Sequence, residues 1–537
     1  MQAQETKHRG RKVLAVAVFA VLVLLSAVNL KIVKDPLSKL IRHDIGFEKF
    51  VDEVQNGYLS DSFAYKNDFL NLNGLFARLI GRRTLNGVVK LNNGMLGLTL
   101  DAGDITAMAN EVSKFSDYLG EKNIPFLYIQ MPGKESLDGQ SSPVGVTFYV
   151  NKRADDLLSL LSAEEVNTLD LRPLISQTQE MLEQYFYKTD HHWNSDGAFV
   201  AFQEVLNYFH KLFPEGNIDL TYAQTDQWER HSIDDWYLGS QGRRVGIFFG
   251  GIDPLIWHTP KFETEMSCAV PYFGWFFRGD FTEANICTKY IEKKVYFDDD
   301  PYNVYIGGDY PLVQHRNLYA PSPLKVLMIK DSFTRPLQMY LSTVFQEIDV
   351  IDPRYFSECT IAEYVERTEP DIVIFAINPS YVGSHAYNNA YQNFGVEKAI
   401  TIKAEGSANE LITQQNIEVE VSNNQNNYAA YSLETNMVYQ VSFERVDILE
   451  GQTEGVGLRL YDKTRNTVLE NTIFDIDYCE ATDGFSWIFR TPDTQDEFEL
   501  LFYAGIYGAT AGNGVIYRDV TVEKMIDGVP ASSGKSG

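Results

Sequence analysis

Between Asp104 and Ala376 the chain alternates short, apolar, β-branched runs with stretches whose apolar residues recur at helical spacing. The runs Ile124–Gln130, Val166–Leu171, Lys325–Lys330 and Asp371–Ala376 read as strands buried on both faces. The stretches 104–119, 154–161 and 196–212 read as amphipathic helices. Strands alternating with helices pair in parallel and are covered on both faces, so the expected class is α/β with a parallel sheet. Past about residue 400 the texture changes. Short alternating stretches such as Tyr439–Phe443 and Gly457–Tyr461, separated by Asn, Gly, Thr and Asp, predict a β-sandwich.

The N-terminal part follows a different logic. Lys7, Arg9, Arg11 and Lys12 precede an uncharged apolar run from Val13 to Leu30. That run is near the lower end of the roughly 17–25 residues a spanning helix needs. The basic flank favours a cytoplasmic N-terminus, which puts the rest of the chain outside the cell. A cleaved signal peptide is the alternative, but no small-x-small cleavage site follows Leu25. The expected division is therefore 1–36 tail and transmembrane anchor, 37–400 α/β domain, 401–530 β-sandwich and 531–537 disordered tail. With 46 Lys+Arg against 73 Asp+Glu the net charge is −27, which repels phosphate backbones and disfavours nucleic acid as a partner. No Cys-x-x-Cys pair occurs among the four cysteines. Cys268 and Cys287 can bridge in an oxidising compartment, or remain separate buried thiols.

The densest chemical signal is Tyr187-Lys-Thr-Asp-His-His-Trp-Asn-Ser-Asp196. Asp190 and His192 are two apart, so in an extended segment they point the same way. The carboxylate can fix the imidazole tautomer and leave the other ring nitrogen as a base. Ser332, in Lys330-Asp-Ser-Phe-Thr334, follows a predicted parallel strand at the edge where α/β proteins build sites. Its own N–H and that of Gly308, in Ile306-Gly-Gly-Asp-Tyr310, are candidate oxyanion donors. Plainer readings stand beside these. Ser332 and Asp190 could be helix caps. The His191–His192 pair could bind a metal, although a metal wants three or more ligands and none is expected here.

The residue pattern Asp190-His-His-Trp193 resembles the motif of the DHHW family of SGNH-hydrolase-like proteins, which includes the alginate O-acetyltransferases, and the chain is similar to their Gram-positive relatives. Further blocks resemble that family in order: Tyr128-Ile-Gln-Met-Pro-Gly-Lys134, Leu169-Asp-Leu-Arg172, Tyr237-Leu-Gly-Ser240, Gly307-Gly-Asp309, Asp331-Ser-Phe333 and Ile351-Asp-Pro-Arg-Tyr-Phe356. The resemblance implies an SGNH-like fold in permuted order, with Asp190 as orienter, His192 as base and Ser332 as nucleophile. His191 and Trp193 carry over as motif residues. Relatives often place Asn after the Gly-Gly pair, where this chain has Asp309. An ionised Asp accepts and cannot donate, so either the oxyanion hole is all backbone or Asp309 is protonated.

The resemblance further implies transfer of an acetyl group through an acyl-serine to a cell-surface or exported polysaccharide. A membrane-bound O-acyltransferase would supply the acetyl group, and no cofactor is expected on this chain. An acetylesterase with the same residues, or a non-catalytic glycan-binding surface protein, is the alternative. Lys134, Arg354 and Trp275 are candidate substrate contacts. Trp275 lies in the aromatic segment Tyr272–Phe277, and Arg354, like Arg243 and Arg244, suits acidic sugars. Tyr428, Tyr431, Tyr461, Trp487, Tyr503 and Tyr507 are candidate sugar-stacking residues of the sandwich, or its core.

Overall fold

The computed structural model describes residues 30–59, 65–383, 390, 394–398, 409–422, 425–427, 429–450, 455–504 and 514–525. The expected anchor lies outside the described residues except for Leu30, as does the tail 531–537. Among the described residues no helix is long and apolar enough to cross a membrane. The chain divides into two compact units, one of residues up to Asn86 with Gly242–Gly251, the other of Gly87–Gln241 with Ile252 onward. The first unit holds helices Leu30–Ile41, Phe47–Leu59 and Lys66–Leu79 and the short helix Ile247–Gly250, whose first N–H donates to Asn71 Oδ1 at 2.8 Å. Arg243 and Arg244 belong to this unit.

In chain order, the second unit contains α1 (Thr106–Glu121), β1 (Phe126–Gln130), α2 (Val150–Ala163), β2 (Thr168–Asp170), α3 (Ser195–Leu212), β3 (Met266–Val270), β4 (Trp275–Gly279), β5 (Leu312–Asn317), β6 (Ser322–Lys330), α4 (Arg335–Leu341), β7 (Phe345–Ile351), α5 (Ile361–Thr368) and β8 (Ile372–Ala376). Among the described residues the eight strands form one sheet in the order β2-β1-β8-β6-β7-β5-β3-β4. The first five are parallel, as the sequence predicts. The expectation of a parallel sheet needs correction for β5, β3 and β4, which are antiparallel and make the sheet mixed. The reason is loop length. Only Pro271–Gly274 separates β3 from β4, and only Leu318–Pro321 separates β5 from β6. Such connections cannot make the long crossover that parallel pairing needs.

Period-2 alternation splits the sheet's apolar side chains between two layers. Val326 and Met328 face one core with Phe202, Val205 and Leu337 from α3 and α4. Leu327 and Ile329 face the other, with Val112 and Phe115 from α1, Leu157 from α2 and Val365 from α5. The β-rich C-terminal region of this unit has two antiparallel sheets sharing a core around Tyr439, Leu458, Phe502 and Val522. It packs on the α/β part through Arg367–Glu470 at 2.8 Å and through Asn471 Nδ2, which donates to the Pro271 carbonyl at 2.5 Å. All four cysteines are free, so Cys268 and Cys287 are not bridged.

Candidate active site

β6 pairs in parallel with β8 in a register that sets Lys330 against Ala376, so both strands end at the same edge. The turn after β6 is shaped by Asp331. Its Oδ1 accepts from Phe333 N at 2.8 Å and its Oδ2 from Asn378 N at 2.7 Å, beyond the end of β8. Burial pushes this carboxyl up to about 6, against the pull of Arg354 and the two N–H donors. Asp331 thus does the capping, and the Ser332 hydroxyl is left to reach elsewhere. Its partner is His192, with Nε2 3.0 Å from Oγ.

The His192 loop is a tight excursion between Phe186 and Trp193, which pair as an isolated antiparallel bridge. Asp190 is fully buried. Its Oδ1 lies 2.6 Å from His192 Nδ1 and also accepts from His192 N at 3.0 Å, while Oδ2 accepts from Ser240 N at 2.5 Å. Gly239 is required beside it, because a Cβ there would lie 2.3 Å from Asp190 Cβ. Burial works against the Asp190 charge, but the two imidazoles outweigh it and hold the carboxyl well below its ordinary range. Burial, aided by His191, lowers His192 to about 3, so its ring is neutral at physiological pH. With Nδ1 carrying the proton toward Asp190, Nε2 is free to take one from Ser332. The ring is clamped from the side by Tyr302, stacked at 3.8 Å, whose hydroxyl donates to the Phe333 carbonyl at 3.0 Å.

The remaining predicted residues take varied places. The His191 ring lies tilted against His192, with centroids 3.8 Å apart, and its Nδ1 is 3.1 Å from Ser240 Oγ. Trp193 is fully buried with its ring 4.9 Å from Phe333. Lys134, expected to touch substrate, is instead a half-buried staple of the motif loop. Its Nζ donates to the carbonyls of Tyr187, Lys188 and Asp190 at 2.8, 3.0 and 2.6 Å, and burial lowers it to about 7. The idea of a protonated Asp309 that donates to an oxyanion also needs correction. Although burial opposes its charge, Arg335 at 2.8 Å, Arg354 at 3.0 Å and Lys330 at 3.9 Å outweigh burial and hold it well below the usual carboxylate range. Arg354 is shared between Asp309 and Asp352. Gly308 lies in the turn leading into Asp309, after Gly307 at φ 83°. Trp275 is half-exposed at the start of β4, four strands from Ser332.

Two residues were missed by sequence reasoning. One is Tyr302. The other is Asn378, which occupies the place on β8 that Ser332 occupies on β6, two residues past the paired strand ends. Its Oδ1 accepts from Ser380 N at 2.9 Å and Ser380 Oγ at 2.7 Å, which fixes the amide, while its buried Nδ2 has no hydrogen-bond partner among the described residues. A buried donor left unpaired costs about 1–3 kcal/mol and calls for a reason. The spacing of Asn378 from the strand end was the available signal.

Among the described residues Asp190, His191 and His192 are the one set whose ligating atoms cluster closely enough for a metal. Asp190 and His192 Nδ1 are already spent on each other, on Ser240 N and on backbone, and His191 Nδ1 on Ser240 Oγ. Three ligands so engaged do not form an open metal site.

Residues 93–231 match the family model described as the SGNH hydrolase-like domain of the acetyltransferase AlgX. Among solved structures, PatB1 of Bacillus cereus is 20% identical, with 57% of this chain and 99% of that chain covered at a TM-score of 0.48. A DHHW family protein from Eubacterium siraeum is 16% identical, covering 58% and 96% at 0.43. AlgX of Pseudomonas aeruginosa is 14% identical, covering 81% and 94% at 0.33. No curated protein matches the chain.

Proposed function

We propose that the protein, whose residues 93–231 match the SGNH hydrolase-like domain of the acetyltransferase AlgX, is a serine O-acetyltransferase acting on hydroxyls of an exported or cell-surface polysaccharide. The observation that carries this reading is the continuous relay Asp190–His192–Ser332, at 2.6 and 3.0 Å. His192 Nε2 takes the Ser332 proton as Oγ attacks the acetyl carbonyl of the donor. The tetrahedral oxyanion is received by the Ser332 N–H and the unpaired Asn378 amide. His192 returns the proton to the leaving group, and an acetyl-serine remains. A sugar hydroxyl then gives its proton to His192 and attacks the same carbonyl; the bond to Ser332 Oγ breaks, His192 returns the proton to that oxygen, and the sugar leaves acetylated. Donation by a membrane-bound O-acyltransferase, and an anchor formed by residues 13–30 that places the site outside the cell, complete the proposal.

The test has two arms. A fluorophosphonate probe should label the wild type and not Ser332→Ala; equal labelling removes Ser332 as nucleophile. The purified protein, given an acetyl donor and an oligosaccharide, should yield acetylated sugar by mass spectrometry. Free acetate with no acetylated sugar would make it an esterase.

A further inference from the structure

The register of the mixed sheet aligns a row of features along one edge. Ile329 of β6 pairs with Ile351 of β7, Ile351 pairs with Leu312 of β5, and Gln314 pairs with Ala269 of β3, so Pro271 comes level with Leu312. Trp275 of β4 pairs with Val270. The Ser332 turn, the Asp352–Tyr355 turn after β7, the Asp309–Tyr310 segment before β5 and the Pro271–Trp275 turn therefore share a single rim. From β6 to the last of these is three to four strand spacings, roughly 15–19 Å.

Aromatic rings stand along this rim. Tyr355 is half-exposed next to Arg354. Tyr310 sets its ring edge-on to both Phe273 and Trp275, at 5.8 and 5.6 Å, and those two rings stack on each other at 4.9 Å. Tyr272, Phe273, Trp275 and Phe277 are all large and exposed. The shelf is also braced. Asn471 holds the Pro271 carbonyl, and Arg278 of β4 reaches Asp477 at 2.5 Å and Asp475 at 3.6 Å, so the β-rich C-terminal region fixes the turn that carries the rings. A platform held in place before binding does not lose ordering entropy on binding.

We propose that this rim is the acceptor groove, and that a neutral glycan chain several sugars long lies along it with its distal rings stacked on Phe273 and Trp275. The inference rests on the acetyl-transfer reading and names its substrate class. Flat aromatic faces suit the C–H faces of sugar rings, and the polar Asp309–Arg354–Asp352 floor between the rings suits hydroxyls rather than a lipid tail or an apolar protein face. Each of the three cations under the rim, Lys330, Arg335 and Arg354, is already engaged by Asp309 or Asp352, and the chain's charge of −27 repels an acidic polymer. The span exceeds a single sugar ring, so affinity must grow with chain length.

The experiment measures binding to the full-length Ser332→Ala protein by calorimetry, with cello-oligosaccharides and N-acetylglucosamine oligomers from dimer to hexamer and an oligogalacturonate control. Affinity for at least one neutral series should rise with length and exceed that for the acidic control. Trp275→Ala should weaken hexamer binding by about tenfold, Trp275→Tyr should restore most of it, and Tyr355→Ala should weaken it independently, with melting temperatures unchanged. Binding that ignores length, survives Trp275→Ala, favours the acidic oligomer or is missing for every neutral oligomer overturns the proposal. So does loss of vesicle binding, instead of glycan binding, in Trp275→Ala. Failure of Ser332 to label in the wild type would overturn the chemistry and leave these binding measurements standing, so the two ideas fail separately.

Discussion

Ser332 lies 3.0 Å from Nε2 of His192, and Ser195 lies 2.9 Å from Nδ1 of His258, whose other nitrogen is 3.3 Å from Asp196. One chain thus contains the same three residue types in contact twice. The surroundings differ. Among the described residues the Ser332 hydroxyl has His192 as its one hydrogen-bond partner, and it sits at a strand end above a short helical turn. The Ser195 hydroxyl is shared with Tyr340, 2.5 Å away, and is fully buried in the first turn of α3. Asp190 gives one oxygen to its histidine at 2.6 Å and pairs with no arginine among the described residues, whereas Asp196 is forked by Arg230 at 2.8 Å. A Ser, a His and an Asp make a reactive set only when the hydroxyl is unshared, the carboxylate is committed to the ring, and donors wait where the oxyanion will form.

Exchanging the two carboxylates for amides separates the sets most widely. Asp190→Asn removes the acceptor that holds the His192 tautomer, and should lower kcat by about 10³–10⁴-fold. Asp196→Asn should leave kcat within about twofold of wild type, because Asp196 is engaged by Arg230 and His258, in a set separate from His192 and Ser332. Hydrolysis of a small acetyl ester reads both variants, and similar losses in the two would erase the distinction.

Asn378 is the next point of contrast, since the second set has no counterpart to an unpaired amide. Asn378→Ala should cost about 10²-fold in kcat with KM little changed, the signature of an interaction made mainly in the transition state. Asn378→Asp should fare no better, because a carboxylate cannot donate. An unaltered kcat in Asn378→Ala would remove the residue from the oxyanion site.

Acid should expose the cost of burying His192. The unfolded ring protonates near 6.5, while the folded ring stays neutral down to about 3. Between those values the unfolded chain holds more protons, so stability is fully present above 6.5 and is lost as pH falls toward 3. The loss attributable to this ring is roughly 3 kcal/mol at pH 4. Asp331, pushed up to about 6, works in the opposite direction between about 4 and 6, so the difference between wild type and His192→Gln is the quantity to read. Denaturant melts at pH 7 and pH 4 should show a smaller acid loss in His192→Gln; parallel losses would mean that His192 titrates normally.

What the sequence disclosed of this arrangement follows its physical range. The second half of β6, from Val326, and all of β8 are buried on both faces and so are written as apolar runs, and Asp190 and His192 sit two apart, so both signals are local. The antiparallel extension β5-β3-β4 depends on which strand β5 chooses, a long-range matter. Lys134 shows the same limit at a single residue. A lysine beside a motif looks like a ligand for substrate, and only the folded loop turns three carbonyls toward its ammonium. Asp309 was legible as a departure, but its fate depended on three cations from positions 330, 335 and 354.

The smallest expected effect falls on Ser195. Removing its hydroxyl leaves His258 Nδ1 and the Tyr340 hydroxyl already 3.1 Å apart, close enough to satisfy each other. Ser195→Ala should therefore cost only about 1 kcal/mol of stability, the ordinary net worth of a hydrogen bond, and leave fluorophosphonate labelling at the wild-type rate. Labelling lost in Ser195→Ala and retained in Ser332→Ala would invert the assignment of the two sets. A larger stability loss with labelling intact would instead mean that Tyr340 and His258 need the serine between them, which makes the second set a structural clamp at the start of the helix that follows the Asp190–His192 loop.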